Sequence, residues 1–363
     1  MLDATRLRVL VAIARHGSVT AAAQALNYAQ PSISHHMARL ESETGAKLME
    51  RSGRGIRLTE AGRLLAERAE EILGRLDAAE AELAAHLGLR QERVRLAAFG
   101  SALGTLAAAA GSALRTDRAV TDVSLVQAEP PDAVRMLRVG EVDVALVFKY
   151  LDAGARPGDL AAAAPIHDTA GSPGGADLHY RPVLDEPVYL ITPSAIPQPP
   201  SASSHGPSAR PHTPPPSAEA AASTLAEYAG HRWIAGCERC RDFLLRVCRS
   251  AGFSPDIAVT TDDYAAAQAL VAAGLGVTVL PGLALRAMRH PGVTATKIPG
   301  ARRQVLAVTY GGPPEPLAAA ALLAALASAA AMFQGSRDPD RTGEPTPRSQ
   351  LTGQTSTGRE AGA

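Results

Sequence analysis

Residues 18–45 contain the signals for two short helices joined by a tight turn. Ser18 is a favourable N-cap, and small apolar residues form one face of the helix that follows it. That helix ends near Asn27, because asparagine tolerates turn conformations. A second helix is predicted from about Gln30, with Pro31 at its first position, where a missing N–H costs no helical hydrogen bond. Few folds place two such helices in this order, and a helix-turn-helix is the foremost among them.

The second predicted helix separates an apolar face from a polar one. Ile33, Met37 and Leu40 repeat at i, i+4 and i+7 and are expected to face the core. This leaves on other faces Ser32, Ser34, His35, His36 and Arg39. A helix that presents small polar and amide side chains is what reading of the DNA major groove requires, and a glutamine can bond to both polar edge atoms of adenine.

The segment after the second helix reads as a short hairpin, or wing. Leu48 and Met49 are apolar, and Gly53 and Gly55 permit a tight reversal. Exposed arginines on a wing contact phosphates or enter the minor groove. The first 65 residues hold nine Arg and Lys against five acids, on a chain whose formal net charge is zero. One locally basic module is therefore expected, and its wing carries Arg51, Arg54 and Arg57.

Five short motifs follow one another in a fixed order along this module. They are Ser18-Val-Thr-Ala-Ala-Ala-Gln-Ala-Leu, Gln30-Pro-Ser-Ile-Ser, Arg39-Leu-Glu, Leu48-Met-Glu-Arg and Leu58-Thr-Glu-Ala-Gly. The set resembles the LysR-type transcriptional regulators, strongly over about 65 residues and more loosely to about residue 310. His35 stands where that family often has arginine, which leaves the base or phosphate preference open. Met49 stands where phenylalanine is frequent, a conservative change in core packing.

Motif and resemblance together predict the residues that contact DNA. Those expected at the groove are Gln30, Pro31, Ser32, Ser34 and His35, and those expected nearer the phosphates are Thr20, Arg51 and Arg54. The alternative for any single arginine, such as Arg39 or Arg57, is a solvated charge without a DNA contact.

The stretch from Thr59 to about Leu89 reads as one long helix with a heptad seam. Six apolar residues are spaced 4, 3, 4, 3 and 4 apart: Leu65, Ala69, Ile72, Leu76, Ala79 and Leu83. Such a seam predicts pairing with a second copy of the helix, and the resemblance implies dimers and often tetramers. The alternative is a helix packed on its own domain.

From Arg93 onward, short β-like runs alternate with helical stretches, which predicts βαβ units and a mainly parallel sheet. The predicted strands are Val94–Phe99, Val123–Gln127, Val142–Phe148, Val188–Thr192, Ile257–Val259, Val277–Leu280 and Val305–Tyr310. The resemblance implies two subdomains like those of periplasmic binding proteins, with the chain crossing near Arg181 and returning near Pro281. The overall class is thus α/β, with an N-terminal all-α winged helix-turn-helix and a long linker helix. No catalytic signature is found, so an enzyme is not expected.

Ligands of open α/β sheets bind near strand ends, often between domains. Gly100 and Ser101 end one strand and open a helix whose amides suit an anion. Gln127 and Phe148 end two further strands. Together with positions that the resemblance implies, the predicted effector-binding residues are Gly100, Ser101, Gln127, Phe148, Gly236, Cys237 and Thr261.

Two cysteines leave an alternative mode of sensing open. Cys237 and Cys240 form a C-x-x-C pair before a helix, an arrangement that serves as a redox switch or binds zinc. A zinc set would be incomplete unless His231 or a second chain contributed. Cys248 lies among apolar residues of the helix and is expected in the core. A less favoured alternative is an enzyme or solute-binding protein with an unrelated helical N-terminal domain.

These inferences predict a cytoplasmic regulator without cofactor or metal. Its expected partners are double-stranded DNA, a small-molecule effector, further copies of itself and RNA polymerase. The first ten residues hold three charges and do not resemble a signal peptide, and the apolar run Leu317–Phe333 is expected to be a packing helix rather than a membrane span. The predicted units are a DNA-binding domain (1–58), a linker helix (59–89), an effector domain (93–334) and a disordered tail (335–363). Within the effector domain we expect subdomain I at 93–180 and 285–334, subdomain II at 181–284, and irregular insertions at 152–177 and 197–217.

Overall fold

The computed structural model describes residues 2–52, 55–87, 93–115, 122–151, 178–194, 225–311 and 313–335. Arg54 lies outside the described residues, as do both predicted insertions and nearly all of the predicted tail. The helix Leu317–Gly335 takes in the first residue of that tail.

The N-terminal unit consists of three helices, a hairpin and the start of a long helix. Its elements are α1 (Ala4–His16), α2 (Val19–Ala25), α3 (Gln30–Thr44), β1 (Met49–Ser52), β2 (Gly55–Leu58) and α4 (Glu60–His86). The Ser18 hydroxyl caps α2 by accepting a hydrogen bond from the Ala21 N–H at 3.1 Å. Asn27 adopts a φ of 55° in the turn. Local side-chain chemistry therefore places the turn where the sequence predicts it. α3 begins at Gln30, as predicted, and Pro31 is its second residue.

The core of this unit forms beneath α3. Ile33, Met37 and Leu40 are fully buried, and α1 and α4 pack against them. The hairpin is antiparallel, with Met49 paired to Leu58. This tertiary packing holds the polar face of α3 toward solvent.

The effector domain contains the remaining strands and helices. Its strands are β3 (Arg93–Ala98), β4 (Asp122–Gln127), β5 (Val144–Leu151), β6 (Leu178–Pro193), β7 (Arg232–Ala235), β8 (Asp256–Thr260), β9 (Thr278–Pro281) and β10 (Val293–Tyr310). Its helices are α5 (Gly100–Ala102), which continues through a π-helical turn (Leu103–Ala107) into α6 (Ala108–Leu114), then α7 (Pro130–Arg138), α8 (Glu238–Ser250), α9 (Tyr264–Ala272), α10 (Gly282–Ala287) and α11 (Leu317–Gly335).

Six strands form one sheet in the order β4-β3-β5-β10-β6-β9, and β7 and β8 form a separate parallel pair. β3 is parallel to β4 and β5, whereas β10 is antiparallel to both β5 and β6, and β9 is antiparallel to β6. The prediction of a mainly parallel sheet is therefore wrong for the six-stranded sheet. β6 and β10 are 16 and 18 residues long. Prolines and a glycine interrupt their apolar patterns, so the sequence revealed only fragments of both strands.

The long strands β6 and β10 pair along nearly their whole length, from Val293 opposite Pro193 to Tyr310 opposite Leu178. The register shifts between Lys297 and Arg302, which marks a bulge in β10. Next to this bulge β10 pairs with β5 on one side and β6 on the other. The two halves of the effector domain are thus joined by a continuous pair of strands.

Helix α4 also contacts the effector domain. Arg75 donates hydrogen bonds to the backbone carbonyls of Leu137 and Arg138 at the end of α7, and its guanidinium lies 3.4 Å from the centre of the Tyr310 ring. A Cβ on Gly74 would overlap the Val139 carbonyl oxygen, so only glycine permits this approach. The linker helix is therefore docked on α7.

Helix α11 is long and apolar enough to cross a membrane, by length and composition alone. Yet Leu322, Leu326 and Ala330 are buried in the core shared by β3, β5 and α6. A packing helix explains both the composition and the burial.

Candidate nucleic-acid interface and central cleft

The polar face of α3 is open to solvent. Its residues Gln30, Pro31, Ser32, Ser34 and His35 are all exposed, as is Thr20 in the first turn of α2. The inward side of the same helix is fully buried, so the orientation of α3 is fixed by its core contacts. A polar helix held outward on a rigid base has the form needed to enter a DNA groove.

An aromatic cluster lies beside this face. Tyr28, in the turn, stacks on His36 with ring centres 5.9 Å apart, and His35 meets His36 edge-on at 6.4 Å. Arg39, one turn further along α3, is paired with Glu43 at 3.7 Å. Sequence reasoning missed Tyr28, because a turn residue carries no periodic signal.

The wing presents its described arginines differently. Arg51 is exposed. Arg57 lies across the hairpin from Glu50, and the two side chains form an ion pair at 2.7 Å. Pairing with Glu50 reduces the positive charge that Arg57 offers to a phosphate. Of the two arginines, Arg51 is therefore the better placed to contact the DNA backbone.

The predicted heptad seam is divided between two environments. Ala69 is fully buried in the core of the N-terminal unit and Leu65 packs against that core, so neither is presented to a second chain. Ile72, Leu76 and Leu83 are 49%, 41% and 59% exposed. Ala79 is exposed as well, and Leu64 and Leu87 add apolar surface that sequence reasoning missed.

A cavity, called here the central cleft, lies where the ends of β3, β7 and β8 meet β5 and β9. It encloses about 40 Å³. Five of the seven residues predicted to bind an effector line it: Ser101, Phe148, Gly236, Cys237 and Thr261. The other two border it, since a Cβ on Gly100 would lie 2.6 Å from the Tyr264 hydroxyl and 3.5 Å from the Gln127 amide nitrogen.

A buried ion pair lies at the central cleft, and its arginine, Arg303, lines the cavity. Arg303 on β10 donates from Nε to Glu186 Oε1 at 2.7 Å, and Glu186 Oε2 accepts the Leu283 N–H at 2.5 Å. Arg303 also donates to the Ser101 hydroxyl at 2.9 Å. Its guanidinium lies 4.9 Å from the ring centres of Phe99 and Phe148.

Burial and mutual attraction shift the pKa values of this pair. Removal from water raises the pKa of Glu186, although the charge of Arg303 and the Leu283 amide oppose that rise. The pKa of Arg303 is also raised, because the attraction of Glu186 and neighbouring groups outweighs desolvation. Sequence reasoning found neither residue, since they are 117 positions apart and meet only through strand pairing.

The two half-buried thiols of the cleft share one polar environment. Cys240 Sγ lies 3.7 Å from the Tyr150 hydroxyl, and Tyr150 stacks on Phe243 with ring centres 4.1 Å apart. A hydrogen bond from Cys237 lowers the pKa of Cys240, helped by Tyr150 and the charge of Arg303. The same bond raises the pKa of Cys237. Cys240 is thus the thiol that ionises first.

Two carboxylates complete the lining of the cleft. Burial raises the pKa of Glu129, and the negative charge of Asp262 adds to the effect. Tyr264 lies between these groups and Ser101, and burial raises the pKa of its phenol to about 12. Both acids were missed because they follow strand ends without a recognisable motif.

A zinc site is not formed within the part of the chain that the structure describes. No three His, Cys, Asp or Glu side chains there lie close enough to hold a metal ion. Cys248 is buried in an apolar cluster, which raises its pKa to about 12, and His231 packs on the Tyr228 ring.

Two family models match the chain. Residues 4–63 match the bacterial regulatory helix-turn-helix protein of the lysR family, and residues 169–331 match the LysR substrate binding domain. Together these matches span more than half of the chain.

Two relatives illustrate the range of similarity in sequence. The uncharacterized HTH-type transcriptional regulator YcgK of Bacillus subtilis is 27% identical over 85% of this chain and 89% of its own length. The probable cat1 operon transcriptional activator of Acinetobacter lwoffii is 33% identical, over 39% of this chain and 47% of its own length.

Solved structures agree with the fold. The LysR family regulator CbnR superimposes with a TM-score of 0.56 at 21% identity, covering 91% of this chain and 99% of CbnR. A full-length variant of OxyR from Pseudomonas aeruginosa gives a TM-score of 0.54 at 21% identity, covering 90% of this chain and 95% of OxyR.

Proposed function

Because this chain belongs to the LysR family of DNA-binding transcriptional regulators, we propose that it binds a specific DNA site as a dimer or tetramer and responds to a small molecule held in the central cleft. The observation that supports the DNA-binding part is the structure of α3, whose polar face is exposed to solvent while Ile33, Met37 and Leu40 on its inner face are fully buried. Such a helix presents base-reading groups without strain in its own packing.

The proposed DNA contacts divide by chemistry. Gln30, Ser32, Ser34 and His35, with Pro31 beside them, would face base edges, and Thr20 and Arg51 would contact the backbone. Arg54 keeps its predicted backbone role, although it lies outside the described residues. CbnR, which this chain resembles in fold, has been crystallised with its target DNA.

Dimerisation is proposed through the exposed part of the α4 seam, Ile72, Leu76, Ala79 and Leu83. A row of half-exposed leucines and isoleucine on a long helix is stabilised by burial against a second copy, at roughly 25 cal/mol per Å² of apolar surface. Pairing would also set two α3 helices on two half-sites.

Effector binding is proposed in the central cleft, between the two halves of the effector domain. The cleft holds about 40 Å³, whereas ligand pockets run from roughly 300 Å³ upward. A larger effector would therefore have to open the cleft along the bulged strands, and binding would favour the open arrangement.

The linker contact of Arg75 with α7 offers a route by which such a change reaches the DNA-binding domains. RNA polymerase remains a further proposed partner. The proposal places the protein in the cytoplasm, with the chromosome, as a regulator rather than an enzyme.

Binding to the DNA upstream of its own gene tests the proposal. Purified protein should prefer that DNA over random DNA by roughly a thousandfold or more at fixed salt, with a footprint of two half-sites. Gln30→Ala should reduce this preference by about 5- to 150-fold. This range corresponds to the discrimination of about 1–3 kcal/mol that one bidentate base contact provides. Gln24→Ala, which removes an exposed glutamine from α2, is the control and should retain the preference. Equal, salt-sensitive binding to both DNAs would contradict sequence-specific recognition.

The oligomer is tested separately. Leu76→Glu combined with Leu83→Glu should shift sedimentation toward the monomer and weaken binding to two half-sites. Leu317→Glu, at a position on α11 that is 74% exposed, is the matched control. A double variant that stays dimeric would place the interface elsewhere.

A further inference from the structure

Helix α3 carries a histidine at the centre of its outward face. His35 is exposed and points away from the core, because at about 3.6 residues per turn it stands roughly half a turn from both Ile33 and Met37, which are fully buried. Among the residues of α3 that we expect at the groove, His35 is the one that can gain a charge. An imidazole does so between about pH 8 and pH 5. The outward face of α3 therefore changes its charge within the range of cellular pH.

The neighbouring histidine, His36, is held differently. Its ring is half-buried and stacks on Tyr28, with ring centres 5.9 Å apart. It also lies close enough to Asp3, the N-cap of α1, for the charges of the two side chains to attract each other. The His36 ring meets the ring of His35 edge-on, with centres 6.4 Å apart. His36 therefore has an acid of its own within the protein, and its ring supports His35 from one side.

The acids of α3 are engaged away from His35. Glu41 pairs with a lysine that precedes the wing, at 2.9 Å, and Glu43 pairs with Arg6 of α1 at 3.0 Å. Arg39, which stands four positions after His35 on the same face, also approaches Glu43, at 3.7 Å. Among the described residues, no acid forms an ion pair with His35, and the charge of Arg39 opposes a second positive charge beside it. DNA would supply the missing negative partner.

We propose that His35 makes a proton-dependent contact with DNA, in which its imidazole takes up a proton from solvent as α3 enters the groove. The imidazolium then donates a hydrogen bond to an acceptor atom of the DNA, which is a phosphate oxygen or the O6 or N7 atom of guanine. A neutral imidazole has one N–H donor, whereas the imidazolium has two and a positive charge. The proposal rests on the proposed function, because it requires α3 to lie on DNA. Acidification would therefore strengthen DNA binding.

The sign and the size of the effect follow from proton linkage. The complex holds the proton more tightly than the free protein does, so the contribution of His35 to affinity is present at low pH and is lost as the pH rises. Each proton taken up changes the affinity by up to about tenfold per pH unit. A dimer on two half-sites would take up two protons. Each charge placed against a phosphate also steepens the dependence of log K on log salt by about 0.9.

Binding of the full-length protein to its upstream DNA and to random DNA, at pH 6 and pH 8 and at several salt concentrations, tests the proposal. The parent protein should bind the upstream DNA at least about tenfold more tightly at pH 6, with a steeper salt dependence. His35→Gln should lose this difference. His35→Arg should bind tightly at both pH values, because the charge of arginine is permanent. A parent affinity that is equal at both pH values, or a pH effect that persists in His35→Gln, would overturn the proposal.

Two matched variants separate His35 from other groups that titrate in this range. His36→Phe keeps a ring on Tyr28 but cannot be charged, so it should retain the pH effect. His231→Gln removes an exposed histidine of the effector domain and should retain the effect as well. Loss of the pH effect in either control would assign the proton to another group and overturn the role given to His35.

The two DNAs distinguish the acceptor and keep the proposal separate from the proposed function. A pH effect on both DNAs indicates a phosphate, and one confined to the upstream DNA indicates a guanine edge, and either result supports proton uptake by His35. A preference for the upstream DNA that does not change with pH, together with unchanged affinities, would overturn only the proton-dependent contact. Failure to prefer that DNA at either pH would instead count against the proposed function.

Discussion

Replacing Arg303 with methionine should destabilise the effector domain by about 3–5 kcal/mol, the usual effect of removing one partner from a buried ion pair. The side chain is 3% exposed and that of Glu186 is 5% exposed. The variant therefore leaves a carboxylate without its cation in a place that water does not reach.

The polar interactions of the guanidinium determine the size of this effect. Arg303 bonds to Glu186 at 2.7 and 2.6 Å and to Ser101 at 2.9 Å. At about 1.5–3 kcal/mol for each hydrogen bond to a charged group, the three would sum to about 4.5–9 kcal/mol, of which only the lower end matches the predicted loss. The sum overestimates the effect because methionine restores part of the apolar packing on Phe99 and Phe148, and because Glu186 can take up a proton. Burial already raises the pKa of Glu186, so protonation of this carboxylate becomes more favourable as the pH falls.

Urea unfolding followed by Trp233 fluorescence is a suitable assay, since this tryptophan is the only one in the chain and is fully buried in the effector domain. The loss in Arg303→Met should be larger at pH 8 than at pH 5, where Glu186 is more readily protonated. Combining it with Glu186→Leu should restore most of the stability, because the pair is then replaced by apolar groups. A loss below about 1 kcal/mol, or strictly additive effects in the double variant, would refute the reasoning.

Two further predictions concern the cleft wall and the linker. Burial raises the pKa of Glu129 above the unfolded value of 4.5, so the parent protein loses stability as the pH rises through and above that value. Glu129→Gln should therefore melt at a higher temperature than the parent at pH 8 and lose this advantage near pH 4, and an advantage that grows toward pH 4 would contradict the sign. Gly74→Ala should lower the free energy of unfolding despite alanine's better helix propensity of about 0.5–1 kcal/mol, because its Cβ would meet the Val139 carbonyl. Gly104→Ala, with no neighbour closer than 3.6 Å, is the control, and stabilisation by Gly74→Ala would mean that the linker is not docked on α7.

Much of the N-terminal unit is determined by the sequence itself. The Ser18 cap, the Asn27 turn and the glycine end of α3 act through contacts between residues three or four positions apart. Such local interactions form wherever the segment folds, which is why the helix-turn-helix and the polar face of α3 can be predicted from the chain. Five of seven predicted cleft residues line the central cleft for a related reason, since strand ends of an α/β domain converge.

Tertiary structure decided what depends on distant pairing. Arg303 and Glu186 are 117 positions apart, and Tyr150 and Cys240 are 90 apart. Each pair meets only because β10 lies between β5 and β6 and α8 packs against that junction, and no local pattern encodes a strand neighbour. The linker seam shows the same limit: one heptad repeat runs through Ala69 and Leu76, but packing of α1 buries the first and leaves the second exposed. Periodicity identifies an apolar face, whereas the surface that covers it is chosen by the rest of the fold.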